Sequence, residues 1–164
     1  MAIGFSGNFT IREDDKHRIL IPVNFRPLLA VVENDTRIEK IILTKNTGET
    51  ILGYPEAEFG KLKQQIESLS SRSPEGRLVR HIFLSQSFEM VLDKQGRIVI
   101  PKPLREHAKI NGEAVIAGIG NKFEIWSKEK WDSYQELIER DYKAALEAKS
   151  DDVVSYLGEK YELI

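Results

Sequence analysis

The chain contains one internal repeat, and this repeat constrains its fold more than any other feature. Residues 9–26 recur as residues 88–105, at an offset of 79, with seven of 18 positions identical. The most similar stretch aligns Asp14–Pro22 with Asp93–Pro101. The 164 residues are therefore interpreted as two copies of one folding unit.

Each copy has the same predicted order of elements. A strand, which is Asn8–Arg12 in the first copy, precedes an aspartate-led turn and a β-branched strand that a proline ends. A short helix, a hairpin and a longer amphipathic helix follow. This order predicts an α+β fold. About four short strands per copy are too few to close a barrel, so we expect the copies to complete one another or to pair with neighbouring chains.

The predicted domain organisation follows from the repeat. The first unit covers 5–70, a linker helix 71–83, the second unit 84–131, and an acidic C-terminal helix and tail 132–164. The chain has 24 basic and 26 acidic residues, but nine acidic and only four basic residues lie in the C-terminal segment. The rest of the chain is mildly basic, which is compatible with an anionic partner.

Several classes of function are not indicated. The chain has no cysteine, which excludes disulfides, thiolate nucleophiles and zinc–cysteine sites. It also lacks an apolar run of about 18 residues and a secretion signal at its N-terminus. The histidines do not have metal-ligand spacing, and we find no nucleophile elbow or phosphate-binding loop. We therefore expect a cytoplasmic protein that is not an enzyme, has no cofactor or metal, and does not bind a membrane.

The two repeated turns contain the candidate functional residues. Asp14 and Asp93 each begin a turn, where an aspartate commonly accepts hydrogen bonds from the backbone two residues on. A catalytic role for these carboxylates, as in a hydrolase, is the weakest alternative. The basic residues of the turns and of the helices after them are either surface residues paired with Asp14 and Asp93 or contacts to an anion such as DNA. These candidates are Lys16, Arg18, Lys94, Arg97, Arg26 and Arg105.

The duplicated pattern Asp-x-x-Gly-Arg-Ile-x-Ile-Pro resembles the MraZ family, bacterial regulators with two tandem AbrB-type units. The resemblance covers nearly all of residues 5–149 and includes Phe5-Ser6-Gly7. It implies two pseudo-symmetric swapped-hairpin units that form a double-split β-barrel with flanking helices. It also implies a ring-shaped homo-oligomer, commonly octameric, in the cytoplasm and at the nucleoid. Such a ring would bind direct repeats of double-stranded DNA in the promoter of a cell-division and cell-wall gene cluster, usually as a repressor.

By the same resemblance, the turns face DNA, which makes Lys16, Arg18, Lys94 and Arg97 the candidate contacts. His17 stands where the family pattern has the turn glycine that Gly96 supplies in the second repeat. Histidine tolerates the left-handed region less well than glycine, so the first turn can differ in shape and can re-aim its arginine. The second turn has the neutral Gln95 at the position where the first turn has Lys16.

The alternative to a DNA-binding regulator is a protein-interaction or antitoxin-like module. It would bind a protein partner through its acidic C-terminal segment. The two hypotheses differ in which charges matter, those of the turn arginines or those of the tail.

Overall fold

The computed structural model describes residues 4–148 and 152–163, and these form a mixed α+β structure with antiparallel sheets. Its strands are β1 Asn8–Arg12, β2 Arg18–Leu20, β3 Ala30–Glu33, β4 Thr36–Asn46, β5 Thr50–Tyr54, β6 Phe88–Val91, β7 Arg97–Val99, β8 Glu113–Gly118 and β9 Phe123–Ser127. A 3-10 helix spans Val23–Leu29, and the α-helices are α1 Glu56–Glu67, α2 Pro74–Phe83, α3 Lys102–Ala108, α4 Lys128–Glu147 and α5 Val153–Lys160.

Strands from both repeats share one sheet. Its order is β1-β8-β9-β5-β4-β3, and β6 also pairs with the long strand β4. Strand β1 pairs antiparallel with β8, and β5 pairs antiparallel with β9. A separate two-stranded sheet consists of β2 and β7. Each repeat therefore supplies pairing partners to the other.

Prolines determine how the helices after β2 and β7 begin. Pro22 and Pro101 occupy the N-cap positions of the 3-10 helix and of α3. Pro27 lies inside the first of these helices, where its missing N–H removes an α-helical hydrogen bond, and that helix has the tighter 3-10 geometry. The second helix is α-helical, and the residue that caps its C-terminus, Lys109, has a left-handed backbone.

The hairpin of β3 and β4 belongs to the first repeat only, and β3 was not predicted from the sequence. Asn34 and Asp35 connect the two strands with φ of 50° and 60°. Two central residues with positive φ are characteristic of a type I′ turn, which suits the twist of a two-residue hairpin. This hairpin carries additional charged side chains to the beginning of β4.

The hydrophobic core contains side chains of both repeats. Phe25 makes an edge contact with Phe5 at a centroid distance of 4.9 Å and lies 5.6 Å from Phe123. All three rings are buried. The ring of Phe123 lies directly over Gly53, so a Cβ atom at that glycine would be 2.3 Å from the ring. The core thus requires a residue without a side chain in β5.

The C-terminal helices form a second compact unit, residues 129–164, and the first unit comprises residues 1–128. Asp152 caps α5 by accepting hydrogen bonds from the backbone N–H groups of Val154 and Ser155, at 3.0 and 3.2 Å. Of the acidic segment predicted over 132–164, residues 149–151 and 164 lie outside the described residues. Within the described part of the chain, no helix is long and apolar enough to cross a membrane.

Candidate nucleic-acid interface

The first repeated turn is organised by the carboxylate of Asp14. Its Oδ1 accepts hydrogen bonds from the backbone N–H groups of Lys16 and Arg18, both at 2.9 Å. Its Oδ2 accepts a hydrogen bond from Nε of Arg18 at 2.6 Å. The backbone hydrogen bond from Arg18, followed by its side-chain bond, lowers the pKa of Asp14 from 3.8 to about 2. The carboxylate is therefore ionised at neutral pH and fixes both the turn and one nitrogen of Arg18.

The second turn has the same network around Asp93. Oδ1 accepts from the backbone N–H groups of Gln95 and Arg97 at 3.0 and 2.9 Å, and Oδ2 accepts from Nε of Arg97 at 3.0 Å. The backbone hydrogen bond from Arg97 is the largest cause that lowers the pKa of Asp93. Asp14 and Asp93 thus occupy matching positions in matching turns.

His17 has the left-handed backbone that the family pattern assigns to glycine. Its φ is 60°, and that of Gly96 is 83°. Each of these residues donates its backbone N–H to the carbonyl of the turn's aspartate, at 3.0 and 2.9 Å. The first turn is therefore not reshaped by histidine, and Arg18 is held as Arg97 is.

The β2–β7 ribbon brings the two turns together. Arg18 is opposite Val99, and Leu20 is opposite Arg97. These four side chains therefore lie on one face of the ribbon, with the two arginines diagonal to each other. The opposite face carries Ile19 and its repeat counterpart Ile98, and both are buried in the core. Nη1 of Arg97 lies 4.0 Å from Oδ2 of Asp14, across the two repeats.

The structure positions the arginines of the two short helices differently from the turn arginines. Nε of Arg26 donates to Oε2 of Glu39 at 2.7 Å. Nε of Arg105 donates to Oε1 of Glu13 at 2.8 Å, and the Glu13 side chain is only 4% exposed. Burial raises the pKa of Glu13, but hydrogen bonds from Arg105 and from the Gly112 N–H outweigh it, and the net shift is downward. These two arginines brace the structure beneath the turns.

Lys16 and Lys94 project from exposed positions of the turns. The six predicted contact residues therefore divide into two groups. The turns bring together four of them, Lys16, Arg18, Lys94 and Arg97, and the two arginines among these pair with the aspartates of their own turns. Arg26 and Arg105 pair instead with Glu39 and Glu13.

One cluster of carboxylates could be mistaken for a metal site. Within the described residues, Glu33, Glu56 and Glu89 form the one group of three metal-ligating side chains. The buried ammonium group of Lys40 lies among them, 2.6 Å from Glu89, 3.4 Å from Glu56 and hydrogen-bonded to Glu33. The hydrogen bond to Glu33 is the largest cause that raises the pKa of Lys40. The lysine thus supplies the cation of this cluster.

Sequence reasoning missed the carboxylates that hold Arg26 and Arg105. Glu13 directly precedes the first turn, but its partner is 92 residues away. Glu39 is 13 residues from Arg26 and lies on β4, which follows the strand β3 that was not predicted. One signal was the recurrence of an arginine inside each short helix, since a partly buried cation favours a carboxylate partner.

Comparison with known proteins places the chain in one family. The family model described as "MraZ protein, putative antitoxin-like" matches residues 5–82 and 83–153. A protein of Desulforamulus reducens named "Transcriptional regulator MraZ" is 34% identical over 153 residues, which are 93% of this chain and 99% of that protein. A protein of the same name from Roseiflexus castenholzii is 37% identical over 127 residues, 77% of this chain and 83% of that protein. Another, from Oenococcus oeni, is 35% identical over 130 residues, 79% and 85% of the two chains. With both repeats matched, the chain belongs to the MraZ family.

Proposed function

We propose that this protein is a sequence-specific DNA-binding regulator of transcription that reads DNA with its β2–β7 ribbon. The observation that carries the proposal is the antiparallel pairing of β2 and β7, with Arg18 and Arg97 on one outward face. A two-stranded ribbon fits the major groove of B-DNA, which is about 12 Å wide. Lys16 and Lys94 flank this face and would contact phosphates on either side.

The turn aspartates bind the two arginines mainly through their Nε atoms. An arginine has five N–H donors, and only Nε of Arg18 is bound by Asp14. In Arg97, Nε is bound by Asp93, Nη2 donates to Oε1 of Gln95 at 3.3 Å, and Nη1 lies 4.0 Å from Oδ2 of Asp14. The terminal Nη groups can bind the O6 and N7 atoms of guanine or a phosphate in bidentate fashion. The carboxylates thus orient the arginines without occupying their whole donor set.

Arg26 and Arg105 have a positioning role in this proposal. The guanidinium of Arg26 lies against Gly96, where a Cβ atom would be 2.9 Å from Nη1. Arg105 binds Glu13, whose other oxygen lies 3.7 Å from Nδ1 of His17. Each helix arginine therefore supports the turn of the other repeat. They would affect DNA binding through the shape of the turns.

The finer features implied by the resemblance belong to the same proposal. The repeats would form a swapped-hairpin, AbrB-like barrel, and the chain would assemble into a ring at the nucleoid. The ring would bind direct repeats in the promoter of a cell-division and cell-wall gene cluster and block the polymerase. One mildly basic chain binds DNA weakly, whereas several linked ribbons multiply the affinity. Exposed apolar side chains on α4 support assembly, namely Tyr134, Leu137, Ile138, Tyr142 and Leu146.

The second candidate function is binding of a protein partner by the acidic C-terminal unit. A cavity of about 450 Å³ lies between α4 and α5 and is mostly apolar. It is lined by Tyr134, Leu137, Ile138, Asp141, Tyr142, Leu157 and Tyr161. An apolar groove on an acidic helical pair would suit a basic amphipathic segment. Deletion of residues 132–164 separates the two candidates, because a turn-based DNA interface would survive it better than a tail-based protein interface.

The test of DNA binding is fluorescence anisotropy with the duplex upstream of this protein's own gene, over a series of salt concentrations. We expect wild-type protein to prefer this duplex to an unrelated one and to show a steep salt dependence. The double variant Arg18→Ala, Arg97→Ala should bind about 30-fold more weakly or worse, because a good bidentate contact contributes about 1–3 kcal/mol.

The matched control is the double variant Arg72→Ala, Arg77→Ala. It removes the same charge from exposed positions within α2 and just before it. Equal affinity of the wild type for both duplexes, or equal weakening in the two double variants, would show that the ribbon arginines do not read DNA.

A further inference from the structure

A polar cleft of about 300 Å³ lies beside the second turn. Its charged lining consists of three cationic side chains, Arg26, Arg37 and Lys94, and two carboxylates, Glu39 and Asp93. The cleft is next to the proposed DNA-binding ribbon, since Lys94 and Asp93 belong to the turn that precedes β7. None of the DNA contacts proposed above uses Arg37.

Both carboxylates of the cleft already have cationic partners. Glu39 binds Arg26 at 2.7 Å through Oε2 and lies 3.6 Å from Nη1 of Arg37 through Oε1. Asp93 binds the turn arginine of its own repeat at 3.0 Å. The side chain of Lys94 has no ion-pair partner within residues 4–148 and 152–163, and that of Arg37 is 60% exposed. The cleft therefore keeps an excess of positive charge on its solvent side.

The β3–β4 hairpin delivers Arg37 to this position. Arg37 is paired with Val32 in the hairpin, two residues before Glu39. The strands β4 and β8 correspond at an offset of 73, because Ile41 aligns with Ala114. The same offset puts the buried residue Ile110 where the first repeat has Arg37. The first repeat therefore has a cation, Arg37, at a position where the second repeat has a buried apolar residue.

The two turns place their cations differently. The first turn has Lys16 and Arg18, and the second has Lys94 and Arg97, with the neutral Gln95 at the position of Lys16. Arg37 adds a further cation beside the second turn. Two basic side chains, Arg37 and Lys94, therefore lie at the second-turn end of the ribbon, in addition to the ribbon arginines Arg18 and Arg97.

We propose that this cleft binds a phosphate of the DNA backbone, with Arg37 and Lys94 as its direct contacts and Arg26 held behind them by Glu39. This inference rests on the proposed function and adds a contact outside the ribbon. A phosphate oxygen can accept hydrogen bonds from a guanidinium and an ammonium together, and these charge-assisted bonds are stronger than neutral ones. The bound phosphate lies at the edge of the site and fixes the register of the ribbon on the duplex.

The test compares Arg37→Ala with Arg37→Lys and with the control Arg72→Ala, in anisotropy titrations against the protein's own upstream duplex. We expect Arg37→Ala to lower the affinity about fivefold, as removal of a charge-assisted hydrogen bond does. The salt slope should fall by about 0.9 for each phosphate that the variant no longer neutralises. Arg37→Lys should keep most of that slope, because it keeps the charge, and Arg72→Ala should match wild type.

Duplexes with a single neutral methylphosphonate identify the contacted phosphate. One such duplex should weaken binding of the wild type at least as much as Arg37→Ala does. It should weaken the variant less than it weakens the wild type, because only Lys94 still contacts this phosphate in the variant. Additivity of the two changes at every phosphate, or an Arg37→Ala variant that behaves as Arg72→Ala does, overturns the cleft assignment. The proposed function fails separately, when Arg18→Ala with Arg97→Ala binds as wild type does.

A free anion is the other possible source of a phosphate group. Titration with inorganic phosphate, followed by the NMR signal of the Arg37 Nε–H, measures this binding directly. Saturation by inorganic phosphate at millimolar concentration, together with no methylphosphonate effect, would assign the cleft to a free anion and overturn the DNA contact.

Discussion

Arg105 reaches across 92 residues to bind Glu13, with Nε–Oε1 and Nη2–Oε2 distances of 2.8 and 3.3 Å. Its repeat counterpart, Arg26, binds Glu39 at 2.7 Å. The two carboxylates are not repeat counterparts, because the residue that corresponds to Glu13 is Leu92. The backbone explains the exchange, since the Glu13 N–H donates to the carbonyl of Gly112 and the Leu92 N–H donates to the carbonyl of Glu39. Glu13 and Glu39 therefore lie on opposite sides of equivalent backbone contacts, and each supplies the carboxylate for the arginine of the nearby helix.

Removal of Arg105 should destabilise the fold. Arg105→Ala leaves the Glu13 carboxyl 4% exposed and without its arginine partner. Removal of one partner of a buried pair costs about 3–5 kcal/mol, and we expect about 2–3 kcal/mol here because Arg105 itself is 19% exposed. Urea unfolding measures the change in the free energy of unfolding.

The matched control for this prediction is Arg12→Ala. Arg12 pairs with Glu113 at 3.7 Å, and both side chains are well exposed, at 80% and 45%. An exposed pair contributes about 0–1 kcal/mol. Destabilisation of the same size in Arg12→Ala and Arg105→Ala would contradict the bracing role of Arg105.

Acid should destabilise the protein through the carboxylates of the turns. Asp14 has a pKa of about 2 in the folded protein against an ordinary value of 3.8, and the pKa values of Asp93 and Glu13 are also lowered. A carboxyl whose folded pKa is lowered contributes stability that is complete above its unfolded pKa and is lost as the pH falls through its folded pKa. The free energy of unfolding should therefore be nearly constant above about pH 5 and should fall from about pH 4 toward about pH 2.

The double variant Asp14→Asn, Asp93→Asn tests which groups cause this fall. Asparagine keeps a side-chain oxygen that can accept the backbone hydrogen bonds of the turn, but it does not titrate. Urea titrations at several pH values should give a shallower decline of stability in the variant. An unchanged slope would assign the acid sensitivity to other carboxyls.

Local signals in the sequence predicted much of the secondary structure, but they could not predict which distant strands pair. The strand over Asn8–Arg12 agrees with β1, because its alternation and the turn that follows are local features. The pairing of β2 with β7 joins segments about 79 residues apart, and no local pattern specifies that register. Strand β3 was missed because four residues before an Asn-Asp turn carry a weak periodic signal.

The candidate site was predictable in the turns and not in the helices. Asp14 and Asp93 organise the turns as their type and position indicated, since an aspartate side chain bonds to backbone only two to four residues away. Arg26 and Arg105 were grouped with the turn arginines because they recur at the same offset. Their carboxylate partners follow from tertiary contacts, which recurrence alone does not reveal.

The two left-handed turn residues should respond differently to alanine. Gly96→Ala adds a Cβ at φ 83°, within 2.9 Å of Nη1 of Arg26, whereas His17→Ala leaves an L-residue where one already stands. Backbone strain of this kind costs about 1–3 kcal/mol, so Gly96→Ala should lower the free energy of unfolding by at least about 1 kcal/mol. His17→Ala should change it by less than about 0.5 kcal/mol, as surface substitutions usually do. Thermal and urea unfolding of both variants measure the difference, and equal effects would contradict the packing of Arg26 under the second turn.

The close approach of Phe123 to Gly53 gives a test of the core that does not depend on function. A Cβ atom at Gly53 would meet the ring at 2.3 Å, and overpacking of a core costs about 1–3 kcal/mol, so Gly53→Ala should destabilise the protein by an amount in that range. Gly60 lies inside α1, and its Cβ would have no atom within 4 Å. Gly60→Ala should therefore stabilise the protein by about 0.5–1 kcal/mol, because alanine favours a helix interior over glycine. The two variants make the same chemical change, so opposite signs in urea unfolding would reflect the packing at each site. Equal stability of Gly53→Ala and wild type would contradict the contact between Phe123 and the backbone of β5.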